Sequence, residues 1–129
     1  MIAFFRLRWR SIRYAVSGWA YVLRTQRNAW IHAVISFSVI FAALLLRLPP
    51  RDWAVLILTI AMVWSAEFLN TALEAVVDLA SPDLHPLAKI GKDVGAAAVL
   101  IAAGAAVLIG LLILGPPLYE AARSLFPRL

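Results

Sequence analysis

AEFLNTALEAVVDLASPDLHPLAKIGKD, residues 66–93, decides how this chain reads. Of the 7 acidic residues in the whole sequence, Glu67, Glu74, Asp78, Asp83 and Asp93 fall here, together with both lysines, Lys89 and Lys92. The stretches on either side are mostly apolar. On a helix turning by roughly 100° per residue, Glu67, Glu74 and Asp78 lie within about 40° of one another, and Asn70 lies about 60° to one side. Three carboxylates and an amide therefore form one polar stripe on an otherwise apolar helix. An Asp at the centre of a membrane segment costs about 2.5–3.5 kcal/mol on insertion scales, so an aligned set implies a task or partners. The plainer reading is a stripe paired with arginines inside a bundle, or the solvated face of a helix end.

Composition places the stripe in a membrane protein. The 129 residues suit one domain. Hydrophobic content is 64% and mean hydropathy is +0.88, against about 45–50% apolar residues in soluble domains. The net charge is +5 and unevenly spread: Arg6, Arg8, Arg10, Arg13, Arg24, Arg27, Arg47 and Arg51 all precede Asp52. That asymmetry suits an anionic membrane surface and argues against nucleic acid as a partner for so apolar a chain. There is no cysteine, which excludes disulfide and thiolate chemistry.

Working outward, residues 3–25 carry Phe5, Trp9, Ile12, Val16, Trp19 and Leu23 on one helical face. Arg6, Arg10, Arg13 and Arg24 run beside it, as expected of a helix lying in the membrane interface. The interspersed arginines do not make a signal peptide. A basic helix packed on the bundle is the plainer and compatible reading. Residues 28–46 hold no Lys, Arg, Asp or Glu and are long enough for a first span, with Trp30 as an interfacial anchor. The turn at residues 47–52, RLPPRD, ends it. A helix over residues 53–80 runs about 42 Å, longer than a roughly 30 Å hydrocarbon core, so its polar end reaches the headgroups with Glu67 deepest and Asp78 nearest water. A connector with Pro82 and Pro86 follows. Residues 94–114 make a third span, rich in Gly and Ala, that suits close helix packing. Gly115-Pro116-Pro117 is expected to end that helix. The expected layout is thus one membrane-embedded domain over 1–129: surface helix 1–27, then spans at 28–48, 53–80 and 92–115. Six arginines before the first span and two lysines in the second connector put the N-terminus and that connector in the cytoplasm.

Carboxylates at a cytoplasmic interface suit Mg²⁺, which takes one or two carboxylates plus phosphate oxygens and water. Lys92 beside Asp93 supplies a cation for phosphates. Glu67, deeper in the bundle, is placed for general-base work. This is equipment for phosphoryl transfer to a lipid hydroxyl. By physics alone, a proton- or cation-conducting bundle competes equally, because intramembrane carboxylates also mark ion paths. No GxxxxGK[ST] or GxGxxG pattern occurs. His32 and His85 stand alone, without metal-ligand spacing, and read as solvated or hydrogen-bonded side chains. The 5 tryptophans read as packing residues and interface anchors.

The run Glu67-Phe-Leu-Asn70-Thr-Ala-Leu-Glu74-Ala-Val-Val-Asp78, then His85-Pro-Leu-Ala-Lys89, then Lys92-Asp93-Val-Gly-Ala-Ala-Ala98, strongly resembles the prokaryotic diacylglycerol kinase family. The likeness covers about residues 11–114. The stretches RTQRNAWIH, residues 24–32, and His85-Pro-Leu-Ala-Lys89 look like its undecaprenol kinase branch. The resemblance implies an all-α membrane kinase with a surface helix, three transmembrane helices and a homotrimeric bundle with sites between subunits. Its chemistry would be transfer from MgATP to a lipid alcohol, undecaprenol first and diacylglycerol (giving phosphatidic acid) second. By the same resemblance, Glu67 matches the general base, Glu74 a metal ligand, and Asn70 and Asp78 polar residues of that site. Tyr14, Asp83, Leu84, His85, Lys92 and Asp93 match nucleotide-binding positions. Gly18 matches the glycine of the surface helix. One position departs: a second metal-binding glutamate, eight residues after that glycine, is here Gln26. Its carbonyl can still meet a metal or a metal-bound water, but the negative charge is gone. The competing class is a non-enzymatic bundle: an ion or proton pathway, or an inactive kinase homologue.

Overall fold

Four helices make up the computed structural model, which describes residues 1–81 and 85–125, the side chains of 2, 3 and 125 aside. They are α1 (Ile2–Thr25), α2 (Arg27–Leu45), α3 (Pro50–Ala80) and α4 (Pro86–Leu125). The expected all-α membrane class holds: α2, α3 and nearly all of α4 are each long and apolar enough to cross a membrane. The C-terminal residues 126–129 lie outside the described part.

The ends follow local chemistry. Pro49 is the N-cap of α3 and Pro50 its first residue, where a missing N–H costs nothing, and Asp52 sits in the first turn against the positive end of the helix dipole. Between α2 and α3, Leu48 N–H bonds to Ala43 O and Arg47 N–H to Leu44 O, both at 3.2 Å. This crossed pair closes the C-terminus of α2 and requires a left-handed residue, here Arg47 at φ 51°. At the start of α4, His85 Nδ1 accepts the N–H of Leu87 at 3.2 Å. The imidazole thus does the work of a capping side chain, with Pro86 following it as the first helical residue.

Gly115-Pro116-Pro117 does not end the last helix, contrary to expectation: α4 runs on to Leu125 with both prolines inside it. The prolines remove two backbone donors. Stopping in an apolar stretch would instead leave about four carbonyls without partners, and in lipid each such group costs several kcal/mol. Carrying on through the prolines is the smaller loss.

The packed part is small. Val22, Ala29 and Trp64 form its centre, with Leu23, Ala33, Ile60 and Phe68 against them. Phe5, Trp9, Ile12 and Val16, the first two-thirds of the α1 face, stay exposed, as an interfacial helix requires. Packing begins at Trp19, whose ring lies 4.7 Å from that of Trp64 and 4.6 Å from that of Phe68.

Arg47→Gly keeps both backbone bonds and removes a Cβ from a left-handed position, a relief of about 1 kcal/mol. Thermal unfolding in detergent should show a raised Tm. A lowered Tm would mean that the arginine side chain contributes more than its backbone conformation costs.

Candidate functional site

The corner between α1 and α2 is one extended residue, Gln26, at φ −103° and ψ 115°. Its own N–H still closes α1 on Val22 O at 2.8 Å. Val22 and Ala29 are buried on either side of it, and Trp30 Nε1 donates back to Leu23 O at 2.8 Å. The pinned corner delivers the Gln26 side chain to α3, where Nε2 donates to Glu74 Oε2 at 3.0 Å. Asn70 Nδ2, one turn earlier on α3, donates to Glu74 Oε1 at 2.9 Å. Both oxygens of Glu74 are therefore held by neutral amides.

Glu67 is the deepest member of the stripe, 2% exposed. Its Oε2 has no hydrogen bond among the described residues, and neither has the buried Asn70 Oδ1. His32 Nε2 on α2 stands 3.9 Å from Glu67 Oε2, too far for a direct bond. Glu67, Asn70 and Glu74 line a cleft of about 360 Å³ with Gln26, Asn28 and His32, closed by Ala96, Val99 and Ala103 of α4. α4 comes this close because Gly95 faces Asn70. A Cβ built there would collide with Asn70 Oδ1 and lie 3.1 Å from Leu73 Cδ2. Gly91, one turn before, would meet only Val77 Cγ2 at an ordinary 3.8 Å.

Further along, Asp78 is exposed and bonds to Lys92 Nζ at 2.6 Å, joining α3 to α4 about one turn beyond Glu74. Asp93 pairs with Lys89 within α4, on the exposed side. His85 is occupied as the cap of α4. Tyr14 is 66% exposed on α1 and does not line the cleft. Asp83 and Leu84 lie outside the described residues. Of the positions singled out from the sequence, the fold thus brings Gln26, Glu67, Asn70 and Glu74 into one cleft. It brings Asp78 and Lys92 together beside them. It adds Asn28, which the sequence reading did not single out, and His32, which it took for a lone solvated or hydrogen-bonded side chain. Their signal was available: spaced i, i+4, they are polar groups at the start of an apolar span, and a histidine within such a span is a site candidate by default.

Chemically, the cleft offers oxygen donors. Among the described residues no three His, Cys, Asp or Glu side chains converge into a closed metal cage. The carboxylates of Glu67 and Glu74 and the amide carbonyls of Gln26 and Asn70 instead fit a hard divalent cation that keeps water and substrate oxygens in its shell. Glu67 Oε2 and Asn70 Oδ1 among them are buried and have no hydrogen bond from the described residues.

Comparison with known proteins decides the family. The family model described as prokaryotic diacylglycerol kinase matches residues 13–114. The chain belongs to this family. A diacylglycerol kinase of Synechocystis sp. is 52% identical over 109 residues, covering 84% of this chain and 62% of that one. The match thus spans less than two-thirds of the cyanobacterial protein. An undecaprenol kinase of Bacillus subtilis is 42% identical over 95 residues, covering 74% of this chain and 77% of that one. A diacylglycerol kinase of Escherichia coli K12 is 38% identical over 90 residues, covering 64% and 73%. The relatives are thus lipid kinases named for two different acceptors, and the chain is a member of a lipid kinase family.

Gly95→Ala should lower stability by about 1–3 kcal/mol, because the new methyl displaces Asn70 from its bond to Glu74. Gly91→Ala should be near neutral. Thermal unfolding of both variants in detergent checks the contrast. Equal effects would mean that the approach at Asn70 is not the tight one.

Proposed function

We propose that this chain is an ATP-dependent kinase of a membrane lipid alcohol, with Glu67 as the base. The observation that carries the reading is a buried carboxylate oxygen without a hydrogen bond among the described residues, in the same cleft as a second carboxylate fixed by two amides. Glu67 takes the proton of the acceptor hydroxyl as that oxygen attacks the γ-phosphorus. The bond from phosphorus to the β–γ bridging oxygen breaks and ADP leaves. Asn70 fixes Glu74 and shares the site with Glu67. When bound, Mg²⁺ neutralises the charge that grows on the phosphate oxygens. Glu74 would hold it, with Gln26 at its side. Lys92, aligned by Asp78, supplies a further positive charge, and Asp93, His85, Asp83, Leu84 and Tyr14 are assigned to the nucleotide.

The same reading places the protein in the cell membrane with its N-terminus in the cytoplasm, where ATP is, on the distribution of its basic residues. It assembles as a homotrimer, as the family resemblance implies. That assembly would give Tyr14, remote from the cleft of its own chain, a second subunit to serve. Undecaprenol is the first choice of acceptor, on the motif stretches at residues 24–32 and 85–89. Diacylglycerol is the second reading, favoured by the higher identity to the Synechocystis diacylglycerol kinase.

Purified full-length protein in mixed micelles with MgATP should phosphorylate one of these two alcohols in preference to the other. Glu67→Gln should lower transfer at least about 100-fold, the scale of general-base catalysis, while leaving Tm near wild type. Transfer to neither acceptor by the wild type would defeat the kinase reading. Normal turnover in the variant would remove Glu67 as the base. Gln26→Glu restores a carboxylate against Glu74, so it should lower the Mg²⁺ concentration for half-maximal activity. An unchanged requirement would show that position 26 does not bear on the metal.

A further inference from the structure

Glu67 and His32 present a gap rather than a contact. Nε2 and Oε2 are 3.9 Å apart, the carboxylate oxygen is buried and has no hydrogen bond among the described residues, and the two side chains come from different helices facing the same cleft. A third atom bonded to both, at ordinary distances of about 2.7 Å to the oxygen and 2.9 Å to the nitrogen, would see them at an angle of about 90°. An alcohol oxygen meets that demand: it donates its one proton to the carboxylate and accepts an N–H on a lone pair. An ammonium or guanidinium, which only donates, cannot bridge an N–H donor and a carboxylate in this way.

A second observation says where such an alcohol comes from. An apolar groove of about 440 Å³ runs between α2, α3 and α4, with Val39, Thr59, Val63 and Gly110 among its walls. It joins the polar cleft at Ile31, His32 and Ala103, which line both. His32 therefore stands where hydrocarbon surroundings give way to carboxylates. A lipid alcohol whose chain lies in the groove brings its terminal hydroxyl to His32.

We propose that His32 is a substrate-binding residue: its Nε2–H holds the oxygen of the lipid acceptor hydroxyl while Glu67 Oε2 holds that hydroxyl's proton. The assignment rests on the lipid-kinase reading above. It gives His32 a part in placing the nucleophile. The imidazole donates to the oxygen that will attack and so orients its remaining lone pair toward the phosphate, and Glu67 receives the proton. The nucleotide side of the site does not involve it.

The test uses the full-length protein in mixed micelles, with kcat and the separate KM values for the lipid alcohol and for ATP. His32→Phe fills the space without a donor. His32→Gln returns an N–H near the position of Nε2. His32→Phe should raise KM for the alcohol roughly tenfold, the scale of one lost hydrogen bond, lower kcat, and leave KM for ATP within about twofold. His32→Gln should recover most of the loss. Wild-type KM and kcat in His32→Phe would overturn the assignment. So would equal impairment of both variants toward both substrates with a lowered Tm, which marks a purely structural histidine. The Tm shift produced by undecaprenol or diacylglycerol without ATP separates this proposal from the kinase reading. If the wild type binds an alcohol but transfers no phosphate, the kinase reading fails. His32 then stands if His32→Phe loses the shift and His32→Gln keeps it, and falls if His32→Phe keeps it. A wild type that neither binds nor phosphorylates either alcohol overturns both.

Discussion

Glu74 is the knot of this fold. Its two oxygens take one hydrogen bond from the α1–α2 corner and one from its own helix, and the asparagine that supplies the second is itself pressed by Gly95 of α4. In a membrane, apolar side chains gain little by leaving lipid for one another, so close backbone approach and polar contacts decide how helices sit. Remove the charge or size of any member of this chain of contacts and three helices lose a common reference. The aromatic packing of Trp19, Trp64 and Phe68 supports the corner from the apolar side but does not by itself fix the register of α3 against α4.

The same contacts carry a chemical compromise. Amide donors on both oxygens hold Glu74 in place, yet they take two of the about four lone-pair sites that a cation could share. A glutamate at position 26 would repel Glu74 until a cation arrived. A glutamine is attractive with or without one. On the proposed metal role of Glu74, glutamine at position 26 gives up affinity for an ion and gains a corner that holds its shape in the ion's absence.

Much of this was legible in the chain. Apolar runs bounded by RLPPRD and by the Pro82–Pro86 connector place three spans, and the four–three spacing from Phe5 to Leu23 places α1. The stripe of Glu67, Asn70 and Glu74 follows from helical periodicity alone, and its buried, deep end at Glu67 follows from helix length. Other features depend on three-dimensional accounting. Pro116 and Pro117 read as a stop only if a helix end is free, which holds in water and fails among apolar neighbours. His85 reads as a lone histidine until its ring nitrogen is seen to cap α4. His32 stands out locally as a histidine in an apolar span, but its partner Glu67 is 35 positions away in sequence, and no local spacing announces that meeting.

The length of α3 has one more consequence. From Pro50 to Glu67 the helix rises about 26 Å, against a hydrocarbon core of about 30 Å. With Arg51 and Asp52 held at one water boundary, the carboxylate of Glu67 stops a few ångströms short of the other. The helix is in effect a ruler. On the proposed function, it sets the Glu67 carboxylate at the depth where an amphiphile carries its polar end, within reach of a phosphate held at the boundary and away from groups at the bilayer midplane. Selection by depth precedes selection by shape, and a thinner bilayer would carry the carboxylate outward into water before any contact within the protein had changed.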